Sequence, residues 1–398
     1  VRQLKTTLIW LGLLVLVVAA LAVLPARLGV YGLYWKRYVG AFMTNPLNPA
    51  FSWYEPMETV RGHDAGSLPI VEMQGLPFRP EALEEAVIYA RAHNSDALVV
   101  LHAGRVVLEQ YWNMKKADTP WAVHSLTKTL TAILIGHAIA DGFISSVDVP
   151  AATYIPEWDT PERRGITLRH LLNMASGLKE SFNYAPTSLR MQRTMGTDIV
   201  APNLRTEVGR PPGKRFAHIN PDPQVLGIII ERATGRRFTE YLSEKFWQPI
   251  GARDALMFLD REGGMVHTDC CMWATPMDWA RVGEALRLKG VFARRQVIPA
   301  GWLDEMLRPS AAYANYGMQL WLGTTYERQR RYDPDIETFA NYHSEPFAAP
   351  DVFFLDGLGK QRVYVVPSRE LVIVRSGSND PDWDDAKLPN LLIRGMIS

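Results

Sequence analysis

Ser125-Leu-Thr-Lys128 places a hydroxyl and an amine three residues apart, and so on one face of any helix that carries them. Residues 121–142 read as such a helix. Leu126, Leu130, Ile133, Ile135 and Ala138 make it apolar on most sides, as a core helix should be, and Gly142 stands where a C-cap glycine belongs. Ser125 falls in the first turn, where unpaired N–H groups and the positive end of the helix dipole point outward. That suits a nucleophile whose product is an oxyanion. Lys128 can take its proton if burial lowers the ammonium pKa. The spacing is not unique, since about one chance match is expected in a chain of this length. Ser176-Gly-Leu-Lys179 also fits, but Gly177 directly after Ser176 argues for a loop there, with Ser176 a turn residue.

The elements that must position these residues come from a chain of 398 residues, 47% hydrophobic and 21% charged, enough for one large core or two smaller ones. A net charge of +1 gives no support to a nucleic-acid partner. Cys270 and Cys271 are adjacent. Sequence neighbours rarely bridge, so they read as small buried residues. The histidines show no metal-ligand spacing, and neither a metal nor an organic cofactor is implied.

Residues 8–24 carry no charge and are long enough to span a bilayer as an N-terminal transmembrane helix. Tyr31, Tyr34 and Trp35, then Lys36 and Arg37, resemble an interfacial belt. Ala20-Leu21-Ala22 leaves open the alternative of a cleaved signal and a secreted or periplasmic chain. The expected organisation is a membrane anchor or signal at 1–35, an extended Pro-rich linker at 36–79 wrapping onto the domain, and one domain at 80–398.

Within that domain, 81–93 reads as an amphipathic helix, and 97–101 with 106–111 as a hairpin about Ala103-Gly104-Arg105. Helices are expected at 167–174 with Thr167 as N-cap, and at 224–233, 238–246, 276–288, 300–306 and 388–396. A second hairpin joins 363–366 to 371–374. Strands at both ends with helices between them predict an α+β fold: an antiparallel sheet flanked by helices plus a helical insert.

Three stretches then stand in order: Ser125-Leu-Thr-Lys128; His218-Ile-Asn220 followed by 225–235; and Asp356-Gly-Leu-Gly-Lys-Gln-Arg-Val-Tyr-Val-Val-Pro. With Thr167-Leu-Arg-His-Leu-Leu-Asn-Met-Ala-Ser-Gly-Leu178, they resemble the serine β-lactamase and penicillin-binding superfamily. The likeness is to its class C-like branch, and within it to the 6-aminohexanoate-dimer hydrolases and the esterases with a β-lactamase fold. It covers roughly residues 80–398.

The resemblance implies a β-lactamase/transpeptidase-like fold and a serine hydrolase acting on a small ester or amide. Ser125 would be the nucleophile and Lys128 its base partner. The second motif of the family is usually Tyr-x-Asn or Tyr-x-Ser; here Asn220 matches and His218 replaces the tyrosine that relays protons. With an unperturbed pKa of about 6.5, histidine can do that work, and kcat/KM would then follow a group titrating near neutrality. In place of Lys-Thr-Gly the third motif has Gly357-Leu358-Gly359, a strand whose N–H would complete the oxyanion hole and which lacks the cation expected for a β-lactam or D-alanine carboxylate. Lys360 is displaced along it, toward solvent. Tyr184 occupies a position that contacts substrate in the subgroup; Glu180 is a second candidate for that pocket, and Trp321 is placed to line it.

Two readings stay beside the ester or amide hydrolase: a D-alanyl peptidase or β-lactamase, and a non-catalytic binding protein on a degraded hydrolase fold. The anchor would place the domain in the periplasm, tethered to a bacterial inner membrane. The oligomeric state has no signature in the sequence.

Overall fold

The computed structural model describes residues 30–43 and 54–397, except 73, 74, 76, 182 and 334–339, together with positions 10, 12, 13 and 17. The anchor expected at 8–24 lies outside the described residues apart from those isolated positions. Among the described residues no helix is long and apolar enough to cross a membrane.

The main sheet has six strands, all paired antiparallel. In spatial order they are Arg105–Tyr111, Ser95–His102, Leu371–Gly377, Gln361–Val366, Phe353–Gly357 and Trp321–Leu322. Both expected hairpins are present. Ala103 and Gly104, at φ 50° and 76°, make the tight left-handed turn that joins strands of natural twist. Every residue of Gln361–Val366 and Leu371–Gly377 is buried. Successive side chains point to opposite faces, so both faces of the sheet are covered there. Pro276–Arg287 lies on one face so closely that a Cβ at Gly283 would come 2.5 Å from Val372 Cγ1. Helix Pro80–Ala92 packs on Ser95–His102 and on the C-terminal helix Lys387–Gly395. This is the expected α+β arrangement.

A smaller sheet carries the segments that enter the site. Its order is Met57–Val60, Ala255–Phe258, Met272–Ala274 and Trp121–Ala122. Trp121–Ala122 leads directly into His124 and Ser125, and Met272–Ala274 follows directly on 269–271.

The extended linker expected at 36–79 is corrected in its first part: Val30–Met43 is helical and Met57–Val60 is a strand. The reason is Arg37, which is fully buried. Its guanidinium donates to the carbonyls of Leu259 at 2.8 Å and of Asp260 and Gly196 at 2.9 Å, so carbonyls of the domain, not lipid or water, satisfy it. Tyr34, read as part of a membrane-interface belt, instead donates to the carbonyl of Pro186, and its neighbour Tyr38 donates to that of Tyr184. Farther on, Ile70 bridges to Val106 and Phe78 to Met396, so this stretch does wrap onto the domain.

Beneath the end of Phe353–Gly357 lies a buried tetrad. Arg330 reaches Asp356 and Asp385 at 2.6 and 2.8 Å, and Arg362 reaches the same two carboxylates at 2.5 and 2.9 Å. Tyr332 OH and Trp383 Nε1 donate to Asp356 and Asp385, each at 2.9 Å. Burial works against both guanidinium charges, but the two carboxylates more than offset it, so both stay above the ordinary arginine range. Replacing Arg362 by Met leaves two carboxylates sharing one cation. We expect Arg362→Met to cost about 3–5 kcal/mol in urea unfolding, and a midpoint equal to wild type would show the tetrad to be dispensable.

Candidate active site

Ser125 lies at the mouth of the core helix, though not inside its α-helical turn. The chain leaves Trp121–Ala122, passes His124 in a left-handed conformation (φ 50°), makes a 3-10 turn at His124–Leu126, and only then enters the helix Thr127–Ala140. The helix therefore starts later than its sequence pattern suggests. The His124 carbonyl explains why the bend holds: it accepts from Thr127 Oγ1 at 2.9 Å and from Cys271 N at 3.2 Å. Lys128 remains in the first turn, and Gly142 beyond the end has φ 80°.

Lys128 is 1% exposed, and its three donor positions meet three acceptors. Nζ lies 3.0 Å from Ser125 Oγ and 2.9 Å from Asn220 Oδ1, and also donates to the backbone carbonyl of Asp269. Burial lowers its pKa to about 8, against the opposing pull of Asp269, Glu180, Asp356 and Asp222. A substantial share of the amine is thus neutral, and able to accept a proton from Ser125, in mildly alkaline water. Asn220 is held at the start of Pro221–Thr234, a helix that packs against Thr127–Ala140 and ends at Gly235 with φ 67°.

His218 is half-buried in an aromatic wall. Its ring centroid lies 5.2 Å from that of Tyr332, 5.5 Å from Trp321 and 6.0 Å from Tyr316. The Arg330 guanidinium backs Trp321 at 4.0 Å. Burial, with the charges of Lys128 and Arg330, pushes the imidazole well below its ordinary pKa. That direction runs against the expected titration near neutrality and favours an uncharged His218 there. Among the described residues no hydrogen bond joins its ring to Ser125 or Lys128.

Gly357 closes the sheet strand, and Leu358, Gly359 and Lys360 form the turn that follows, with φ 77° and 62° at the last two. The three positions thus lie at a strand end and turn, not within a strand. Gly357 touches the turn that carries Ser125: a Cβ there would meet Val123 O at 2.4 Å and Leu126 Cδ1 at 2.8 Å. Only glycine lets the two backbones approach this closely. Lys360 is corrected as well. Its ammonium does not face solvent but donates to Asn341 Oδ1 at 2.5 Å beside the tetrad, and burial lowers its pKa.

Glu180 and Tyr184 stand farther along the cleft. Glu180 accepts from Arg193 at 2.5 Å and from Asn220 N at 3.4 Å. Arg190 lies 3.5 Å from Glu180 and 5.0 Å from the Tyr184 ring centre. Tyr184 is 51% exposed, and Arg190, Glu180 and Asn220 link it to Lys128. The rival serine, Ser176, is a buried turn residue. It donates to Asp222 at 2.5 Å and caps Leu178 N at 3.1 Å, while Lys179 pairs with Glu207 on the surface. Trp321 is buried as the wall behind His218.

Asp269 has no place in the sequence reading, because its contribution to Lys128 is a backbone carbonyl, which no side-chain pattern announces. Cys270 and Cys271, expected as separate buried residues, are bonded to each other, and Cys271 has φ 75°. That left-handed bend brings the neighbouring sulfurs together. His267, Asp269 and Cys270 form a cluster of potential metal ligands, yet Cys270 is in the disulfide and the His267 ring nitrogens face Tyr54 and Asp269.

Comparison with known proteins fits this geometry. The 6-aminohexanoate-dimer hydrolase of Paenarthrobacter ureafaciens is 27% identical over 255 residues, 60% of this chain and 63% of that protein, so the chain spans less than two thirds of this relative's length. A solved Bacillus anthracis protein, provisionally named a 6-aminohexanoate-dimer hydrolase, superposes with a TM-score of 0.67 at 21% identity, over 87% of this chain and 89% of its own. A family VIII carboxylesterase superposes with a TM-score of 0.57 at 16% identity, over 82% and 100%. These two likenesses show a shared fold. The family model described as Beta-lactamase matches residues 81–394, nearly the whole domain that carries Ser125, Lys128, Asn220 and Gly357, and the chain belongs to that family.

Proposed function

We propose that the chain is a serine hydrolase that cleaves a small ester or amide through an acyl-enzyme on Ser125. The observation that carries this is the 3.0 Å contact between Ser125 Oγ and a buried Lys128 whose pKa is drawn down to about 8. Neutral Lys128 takes the hydroxyl proton as Oγ bonds to the carbonyl carbon. The N–H groups of Ser125 and of the 357–359 turn receive the oxyanion. The leaving group takes up a proton and departs, and water then attacks the acyl carbon. Lys128, now carrying the Ser125 proton, returns it to the leaving group; neutral His218 flanks this path as a hydrogen-bonding group, with Tyr184 on the substrate side. The names of the relatives, a 6-aminohexanoate-dimer hydrolase and a carboxylesterase, support an amide or ester as the bond broken. Lys360, tied to Asn341, supplies no open cation for a β-lactam carboxylate, which disfavours a peptidase or β-lactamase.

A fluorophosphonate probe is expected to label the wild type at Ser125 and to leave Ser125→Ala unlabelled, with short acyl esters turned over only by the wild type. Equal silence of both proteins would favour a non-catalytic binding role, and rapid turnover of a cephalosporin would favour the lactamase reading.

The base acts in its neutral form, so activity falls as pH drops and Lys128 gains a proton. We expect kcat/KM for an ester to rise through pH of about 8, with no limb from His218 at about 6.5. An inflection near neutrality that disappears in His218→Gln would assign the limb to His218 instead.

The charge-free run at 8–24 is long enough for a membrane tether, and the proposal places the domain on the periplasmic side of a bacterial inner membrane. Retention in the membrane pellet after alkaline carbonate extraction is the expected result; recovery in the supernatant would overturn it.

A further inference from the structure

The third acceptor of Lys128 is itself held by a buried chain of polar groups that ends outside the matched family segment. Tyr54 OH lies 2.7 Å from His267 Nε2, and His267 Nδ1 lies 3.3 Å from Asp269 Oδ1. The backbone carbonyl of the same Asp269 accepts from Lys128 Nζ. All four residues are buried. The contacts are satisfied together in one tautomer: Nδ1–H donates to the carboxylate, and Nε2 accepts from the Tyr54 hydroxyl. Tyr54 is fixed from both sides, by Phe258 stacked at 4.2 Å and by the Arg37 guanidinium 4.1 Å over its ring.

We propose, building on the reading of Ser125 and Lys128 above, that Tyr54 and His267 are positioning residues that hold Asp269, and through it Lys128, in register with Ser125. The segment before residue 81 is then part of the working site and not only a cover on the domain.

Charge is consistent with this. Burial alone would raise the Asp269 carboxyl, but the His267 hydrogen bond, with the Lys128 charge nearby, brings it below the usual carboxylate range. Asp269 leads the groups that favour the Lys128 ammonium, followed by Glu180, Asp356 and Asp222. The imidazoles facing Lys128 are His124 and His218, both pushed down by burial and by Lys128 itself. Tyr54 faces Arg37, Asp260 and Asp269. Asp269 thus acts on Lys128 twice, by its carbonyl and by its charge.

The test compares the full-length wild type with Tyr54→Phe and Asp269→Asn, using fluorophosphonate labelling rates and ester kinetics across pH. Tyr54→Phe keeps the ring stack and loses only the hydroxyl. It is expected to lower kcat by about three- to tenfold with KM changed less than about twofold. Asp269→Asn removes the negative charge, so the alkaline-rising limb should move to lower pH by about one unit. A merely structural role would lower the melting temperature and leave the kcat–KM split and the limb in place. Wild-type kcat in Tyr54→Phe together with an unmoved limb in Asp269→Asn overturns the relay. A wild type that neither labels nor hydrolyses overturns the hydrolase reading itself, and the relay's catalytic role with it.

Discussion

Burying one ammonium group sets the terms for this molecule. An unpaired charge in a protein interior is costly, and the cost is relieved only by acceptors placed at hydrogen-bond distance. Lys128 finds them on Ser125, on Asn220 and on the Asp269 carbonyl, which belong to three well-separated stretches of chain. Satisfying the group therefore requires the core helix, the start of Pro221–Thr234 and the strand Met272–Ala274 to be in place at once. The same burial that demands these contacts also brings the amine toward neutrality. Stability and reactivity at Lys128 thus follow from a single placement.

A second charged cluster complements the first from the other side of Ser125. Arg330, Arg362, Asp356 and Asp385 balance one another in charge, so they stiffen the sheet end without imposing a net charge on the cleft. Asp356 directly precedes Gly357, and Tyr332, bonded to Asp356, also offers its carbonyl to His218 N at 2.7 Å. One network therefore sets both the turn against Ser125 and the wall that keeps His218 uncharged.

How much of this could be read from the sequence depended on the range of the interaction. Periodicity and caps gave the helix Pro276–Arg287 and both hairpins, because those signals lie within a few residues of each other. Ser125 and Lys128 emerged from their own spacing, and Asn220 from a motif that keeps its place in chain order. What stayed hidden was long-range or lacked a side-chain code. The Asp269 carbonyl is one such case, and the left-handed His124 that delays the helix is another. Arg37 read as an interfacial cation because nothing local tells that five backbone carbonyls await it. Lys360 was assigned to solvent because Asn341 lies on a strand outside its hairpin. For His218 the residue type suggested an acid–base switch, and only its surroundings showed that the proton is held off.

The order of strands in the main sheet has a consequence for how the chain is made. Ser95–His102 pairs on one side with its hairpin neighbour and on the other with Leu371–Gly377, from the far end of the domain. A ribosome delivers the first of these strands long before the second. Until then its edge offers open N–H and carbonyl groups beside the buried run Ala97–Leu101, the kind of surface that pairs with the wrong partner. The nascent chain has to be shielded through that interval. Its vulnerability to aggregation is therefore set by the time of synthesis, before any property of the finished molecule comes into play.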